Sequence, residues 1–204
     1  HHIMNEVAKG HRNADSIVEY FEREAARFPS SAFRLHFTSN HDENSWNGTE
    51  YERMGDGVET FAVLSATVHG MPLIYNGQET SLKKRLEFFE KDAIQWTEMD
   101  KAPFYTKLFA FKETNPALWN GDYGAYPEFL AGNNPDVLVF ARRKGSNTVL
   151  VVLNLSGEEQ KVKTDLKNCI GEYTELFTGE SKEISKKKGK FKLKPWEYRV
   201  YSFN

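Results

Sequence analysis

With 204 residues, 39% of them hydrophobic and 14% aromatic, the chain can bury a sizeable core, and its length allows one domain or two small ones. Its 27 Lys and Arg nearly balance 29 Asp and Glu, and a formal charge of −2 excludes nucleic acid as an electrostatic partner while suiting neutral polyols such as sugars. The single cysteine, Cys169, excludes an internal disulfide and a thiolate metal site of its own. No run approaches the roughly 18 apolar residues of a membrane span, and the first residues lack the charged and apolar regions of a signal peptide.

In chain order, Ser16, Ile17, Val18 and Glu19 read as a capping box, and Ile17, Tyr20, Phe21, Ala25 and Phe28 keep a helical stripe until Pro29 stops it. Residues 33–38 read as a strand that ends in the cluster Asn40, His41, Asp42. Asp56, with Glu59 three residues later, is placed to cap a helix that runs through Val68 and closes at Gly70. Residues 71–75 then read as a short buried strand. Residues 80–102 are irregular and charged, and Pro103 opens a helix with Phe104, Leu108 and Phe111 on one face.

Helix, strand, helix, strand, helix implies parallel strands joined by right-handed crossovers. Two parallel strands bury too little to stand alone, so this half reads as a slice of a larger α/β unit. In a (β/α)₈ barrel, residues facing a ligand lie at the C-terminal ends of the strands, where His41, Asp42, Gln78 and Glu79 fall.

From about Pro135 the pattern changes to short strands with turn signals. These are 137–143, a turn at 144–147, 148–155, 173–177, 191–193 and 196–203, at the spacing of an antiparallel sandwich. The expected fold class is α/β plus all-β, with the α/β slice, a barrel portion if the larger unit is a (β/α)₈ barrel, over residues 1–133 and a β-sandwich over 134–204.

The segment Phe37, Thr38, Ser39, Asn40, His41, Asp42 resembles the fourth signature of glycoside hydrolase family 13, the α-amylase family, which lies on barrel strand seven. Gly70, Pro72, Tyr75, Gly77 and Glu79 are similar to that family's strand-eight pattern. The resemblance implies the C-terminal part of a (β/α)₈ barrel followed by the family's all-β domain, with the N-terminal barrel portion missing. It implies an α-glucan or oligosaccharide as the partner, such as starch or maltodextrin, and a retaining mechanism. Carried over, Asp42 is the transition-state stabiliser and His41 a ligand of the same sugar. No cofactor is implied for these residues; calcium is common in the family, but its usual ligands lie upstream, so no metal is assigned. The compartment is unassigned, an extracytoplasmic parent being one option.

Taken alone, His41 and Asp42 also suit a strand-end turn in which the aspartate accepts backbone N–H bonds. Asn40 suits a loop-shaping role or a sugar contact. Glu79 is either a solvated loop acid or part of a sugar-binding rim. Trp46 and Tyr75 are candidates for stacking on sugar faces or for ordinary packing. His36 reads as an interior histidine, and Lys186–Lys190 as a solvated hairpin turn rather than an anion site.

The family's Gly-x-Arg-x-Asp nucleophile motif, its strand-five acid/base glutamate and its Asp-x-x-x-Asn-His motif do not occur in this chain. Catalysis by these residues alone is therefore unsupported, since proton donor and covalent partner are both missing. A non-catalytic carbohydrate-binding or structural module is the alternative function. A metallophosphoesterase site needs further Asp/His clusters that the six histidines do not supply.

Overall fold

The computed structural model describes residues 1–203. The first helices are α1 (His2–Ala8) and α2 (Ala14–Arg27). The capping box expected at Ser16 is not the start of α2. Asn13 is extended and its side chain accepts the Asp15 N–H at 3.1 Å, while the Ala14 N–H donates to Pro135 O at 2.9 Å, so capping succeeds three residues earlier. Ile17 and Phe21 are buried as the stripe predicts, but Ala25 is exposed, and the helix ends at Arg27 before Pro29.

The expected strand over 33–38 shortens to β1 (Leu35–His36), and 71–75 to β2 (Met71–Pro72). The two pair in parallel, Leu35 with Met71 and His36 with Pro72. β2 is half-buried rather than buried, because the described residues place no further strand beside this pair.

Between them lie α3 (Glu50–Met54) and α4 (Val58–Thr67). Asp56 does not cap α4. It sits in a 3₁₀ turn over Gly55–Gly57, and Gly57 takes the cap position without a side-chain bond. α4 is buried nearly all round, from Phe61 and Val63 to Leu64 and Thr67. It ends before Gly70, whose φ of +144° and crowded setting admit only glycine. A Cβ there would stand 2.4 Å from Arg34 O and 2.6 Å from the His36 ring. α5 (Ala102–Thr114) follows, with Leu108 and Phe111 buried and Phe104 stacked on Phe177.

The rest is antiparallel β. Strands β3 (Glu128–Phe129), β4 (Val137–Lys144), β5 (Asn147–Asn154), β7 (Gly171–Glu175), β8 (Ser181–Ile184) and β10 (Tyr198–Phe203) form a six-stranded sheet in the order β3-β4-β5-β10-β7-β8. β6 (Gln160–Asp165) and β9 (Lys188–Leu193) form a second, two-stranded sheet. The sheet starts at Glu128, within the segment assigned from sequence to the barrel portion. The hairpin of β4 and β5 turns tightly on Gly145 and Ser146, where Gly145 has φ +58°.

The long apolar runs of β4 and β5 are explained by burial on both faces. Leu138, Phe140, Val149, Val151 and Leu153 join one core with Phe21, Phe61, Leu64, Leu108 and Leu118. Val137, Val139, Leu150 and Val152 face the other way, onto Val162, Phe191 and Leu193 of the second sheet. The lysine run at 186–190 is not a hairpin turn. It carries the chain from β8 in the large sheet to β9 in the small one, and Lys188 and Lys190 are strand residues paired with β6.

Arg142 pins the two halves together. Its fully buried guanidinium donates to the carbonyls of Ala125, Thr67, Val68, Leu118 and Trp119. Thr67 and Val68 carry orphan carbonyls at the end of α4, so a cation from the sheet caps a helix of the α/β half. No helix among the described residues is long and apolar enough to cross a membrane.

Candidate active site at the ends of the parallel strands

The chain leaves β1 through Phe37, Thr38 and Ser39, and Asn40 starts a helical turn. Its Oδ1 accepts the Glu43 N–H at 2.8 Å and its carbonyl accepts the Asn44 N–H at 2.9 Å. Asn40 is thus the loop-shaping residue here. The turn widens into a π-helix over Glu43–Asn47, a rare local geometry that recurs at functional sites.

The wider turn separates two neighbouring carboxylates. Glu43 points inward, 3.1 Å from His1 Nε2 and 3.8 Å from Arg53 Nη1, and accepts from Asn47 Nδ2 at 3.2 Å. His41 and Asp42 point outward, with side chains 65% and 57% exposed and His41 Nε2 3.6 Å from Asp42 Oδ2. A carboxylate and an imidazole therefore face solvent side by side beyond the C-terminal end of β1.

The turn after β2 is bound to this loop from below. Gln78 Oε1 accepts the Tyr75 N–H at 2.7 Å, and its Nε2 donates to Thr38 Oγ1 at 2.8 Å and Glu50 Oε2 at 2.5 Å. Tyr105 OH lies 3.2 Å from the same amide. Burial pushes the Glu50 carboxyl up, opposed by its hydrogen bonds from Thr38 and Gln78 and by the Arg53 charge. Arg53 completes the frame, donating to Gly48 O, Asn5 Oδ1 and Thr38 O at 2.8, 2.9 and 2.8 Å.

Tyr75 is half-buried on that turn, and burial raises its hydroxyl. Glu79 bends its carboxylate back to accept the Gly77 N–H at 3.1 Å, and its carbonyl accepts the Lys101 N–H at 3.0 Å. Trp46, 57% exposed on the π-helix, packs on Phe88 with ring centroids 5.1 Å apart, and His41 lies 5.7 Å from the same ring. The structure thus gathers His41, Asp42 and Trp46, while Tyr75 and Glu79 lie on the neighbouring turn, which Gln78 ties to Thr38 and Glu50.

Sequence reasoning did not find Glu43, Glu50, Arg53, Phe88 or Phe89. Thr49 and Glu52 form a true capping box at the head of α3, which was a legible signal for Glu50 and Arg53. The Phe88-Phe89 pair inside a charged stretch was the signal for the aromatic wall. Among the described residues no group of three or more His, Cys, Asp or Glu converges to hold a metal ion.

Residues 128–200 match the family model described as maltogenic amylase, C-terminal domain. The α-amylase MalA of Haloarcula japonica is 29% identical over 158 residues, covering 75% of this chain and 23% of that protein. The α-1,4-glucan:maltose-1-phosphate maltosyltransferase 1 of Streptomyces coelicolor is 34% identical over 113 residues, covering 48% of this chain and 16% of that protein. The crystal structure of the maltogenic α-amylase AmyB from Thermotoga neapolitana superposes with a TM-score of 0.78 at 19% identity, covering 97% of this chain and 47% of that one. The chain therefore spans under a quarter of these two sequence relatives and about half of the structural one. Its strand-end signatures, its sheet topology and these likenesses agree: residues 128–200 match the C-terminal domain of maltogenic amylases, and the chain as a whole is similar to the C-terminal part of α-amylases.

Proposed function

We propose that this chain supplies strands seven and eight and the all-β domain of a retaining enzyme acting on α-glucosidic bonds of starch or maltodextrin-like glucans. The observation that carries the reading is the outward pair of Asp42 and His41, 3.6 Å apart, beyond the C-terminal end of β1. Glycosidic cleavage builds positive charge on the sugar ring in an oxocarbenium-like transition state. A carboxylate that accepts hydrogen bonds from ring hydroxyls binds that state more tightly than the ground state, which is Asp42's role. His41 donates to the same sugar and holds it in register. Glu79, Tyr75, Trp46 and Asn40 line or shape the surrounding rim.

The proton donor and the nucleophilic carboxylate are supplied from outside these residues, because neither motif occurs in them. A relative named as an α-amylase and one named as an α-1,4-glucan maltosyltransferase support an α-glucan as the substrate, and the reading covers both hydrolysis and glucosyl transfer. The test is Asp42→Asn in the longest natural polypeptide that contains this chain. The expected loss in kcat is about 10²–10³-fold, the cost of removing one preorganised transition-state contact. Parental turnover in that variant overturns the proposal.

A further inference from the structure

Residues 81–101, between the turn at Gln78–Thr80 and α5, form no regular secondary structure. A loop of that length inside a packed domain usually serves a function. It is also firmly held. The Leu86 N–H donates to Asn44 Oδ1 at 2.7 Å, Asn44 Nδ2 donates to Lys84 O at 3.2 Å, and Ser45 Oγ donates to Leu86 O at 2.7 Å. Arg85 grips Glu52 with two bonds, of 3.0 and 2.9 Å. The loop is therefore stitched to the same π-helix that presents Asp42.

With Leu86 buried as the anchor, the next apolar side chains face solvent: Phe88 is 36% and Phe89 81% exposed. Their rings meet edge to face at 4.8 Å, and Trp46 lies 5.1 Å from Phe88 and 6.1 Å from Phe89. Phe88 in turn abuts His41. The three rings thus stand beside the His41–Asp42 pair, beyond the C-terminal end of β1. The chemistry matches one class of ligand, since a pyranose ring has an apolar C–H face and a polar hydroxyl rim. Aromatic rings take the face, and Asp42 with His41 takes the rim.

We infer that Phe88 and Phe89, with Trp46, form a stacking platform that carries the sugar site past Asp42 and seats a neighbouring glucosyl ring of the same α-glucan chain. The inference rests on the reading of Asp42 and His41 above. Because hydrogen bonds preorganise the loop, little ordering cost is left for the sugar to meet on binding.

The experiment compares kcat/KM for maltotriose and for a six-glucose α-1,4 oligosaccharide in the full-length enzyme containing this chain, with Phe89→Ala, Phe88→Ala and Phe88→Tyr. Each alanine variant is expected to lower the long-to-short ratio roughly twofold to tenfold, mainly through KM, as one aromatic contact is worth. Phe88→Tyr is expected to restore the ratio. Thermal unfolding of each variant separates a lost fold from lost sugar binding. An unchanged ratio, or an equal loss on both substrates, overturns the platform while an inactive Asp42→Asn leaves the catalytic reading standing. An Asp42→Asn enzyme with parental kcat overturns that reading and the platform with it.

Discussion

Gln78 Nε2 donates to Glu50 Oε2 at 2.5 Å, which ties the turn after β2 to α3 directly beneath the loop of Asp42. Both residues are buried, so the bond is sheltered from water. Gln78→Ala strands the Tyr75 N–H and takes one of two donors from Glu50 Oε2, leaving it the bond from Thr38 Oγ1. The expected cost is about 1–3 kcal/mol, the penalty for unsatisfied buried polar groups. Urea unfolding of the variant measures it. Activity of the full-length enzyme should fall as well, because Thr38 and Asp42 share the loosened loop.

Arg142 supplies donors to carbonyls that no second residue reaches as a set. Arg142→Lys keeps a positive charge but offers three donors from one point, where the guanidinium offers a planar fork. The expected loss is about 3 kcal/mol or more, close to that of Arg142→Met, since buried carbonyls stay unpaired in both. Near-parental stability of the lysine variant, read by thermal unfolding, contradicts the clamp.

Gly70→Ala places a methyl group 2.4 Å from Arg34 O at a φ of +144°. Steric overlap and backbone strain add, so about 2 kcal/mol or more of stability should be lost. The same substitution at Gly10, whose Cβ meets nothing within 4 Å but whose φ is +73°, isolates the strain part and should cost less. Paired denaturation curves separate the two contributions.

His36 gives a pH dependence with a defined sign. Burial lowers its pKa from 6.5 to about 4, partly offset by the hydrogen bond to His69 O. Between those values the unfolded chain binds the proton and the folded chain does not, so stability falls as pH drops from 6.5 toward 4. The difference corresponds to about 3 kcal/mol at full extent. His36→Gln should flatten that part of the stability profile, measured by unfolding across pH 4.5 to 7.5 in roughly half-unit steps; an unaltered slope rules out His36 as its source.

Much of the fold was legible because it is written in local patterns. β4, β5 and α5 appeared near their expected bounds, since apolar runs and Pro103 act over a few residues. β3, β6 and β8 were not anticipated. They carry few apolar side chains, and each is a strand only because a neighbour offers it a ladder of hydrogen bonds. The failed cap at Asp56 shows the same limit, as packing around α4 outweighs a surface capping preference.

The amino-acid order by itself determined the two strand-end signatures, a change from α/β to all-β read at about Pro135, and which aspartate and histidine lie together, because all of these follow from spacing along the chain. Only the tertiary structure decided that Asp42 faces solvent while Glu43 turns inward, since a π-turn and the buried Arg53 make that choice. Likewise, bonds between Asn44 and Leu86, 42 residues apart, bring Phe88 and Phe89 beside Trp46. Contacts between distant segments depend on how the chain closes in space, and no local pattern encodes them.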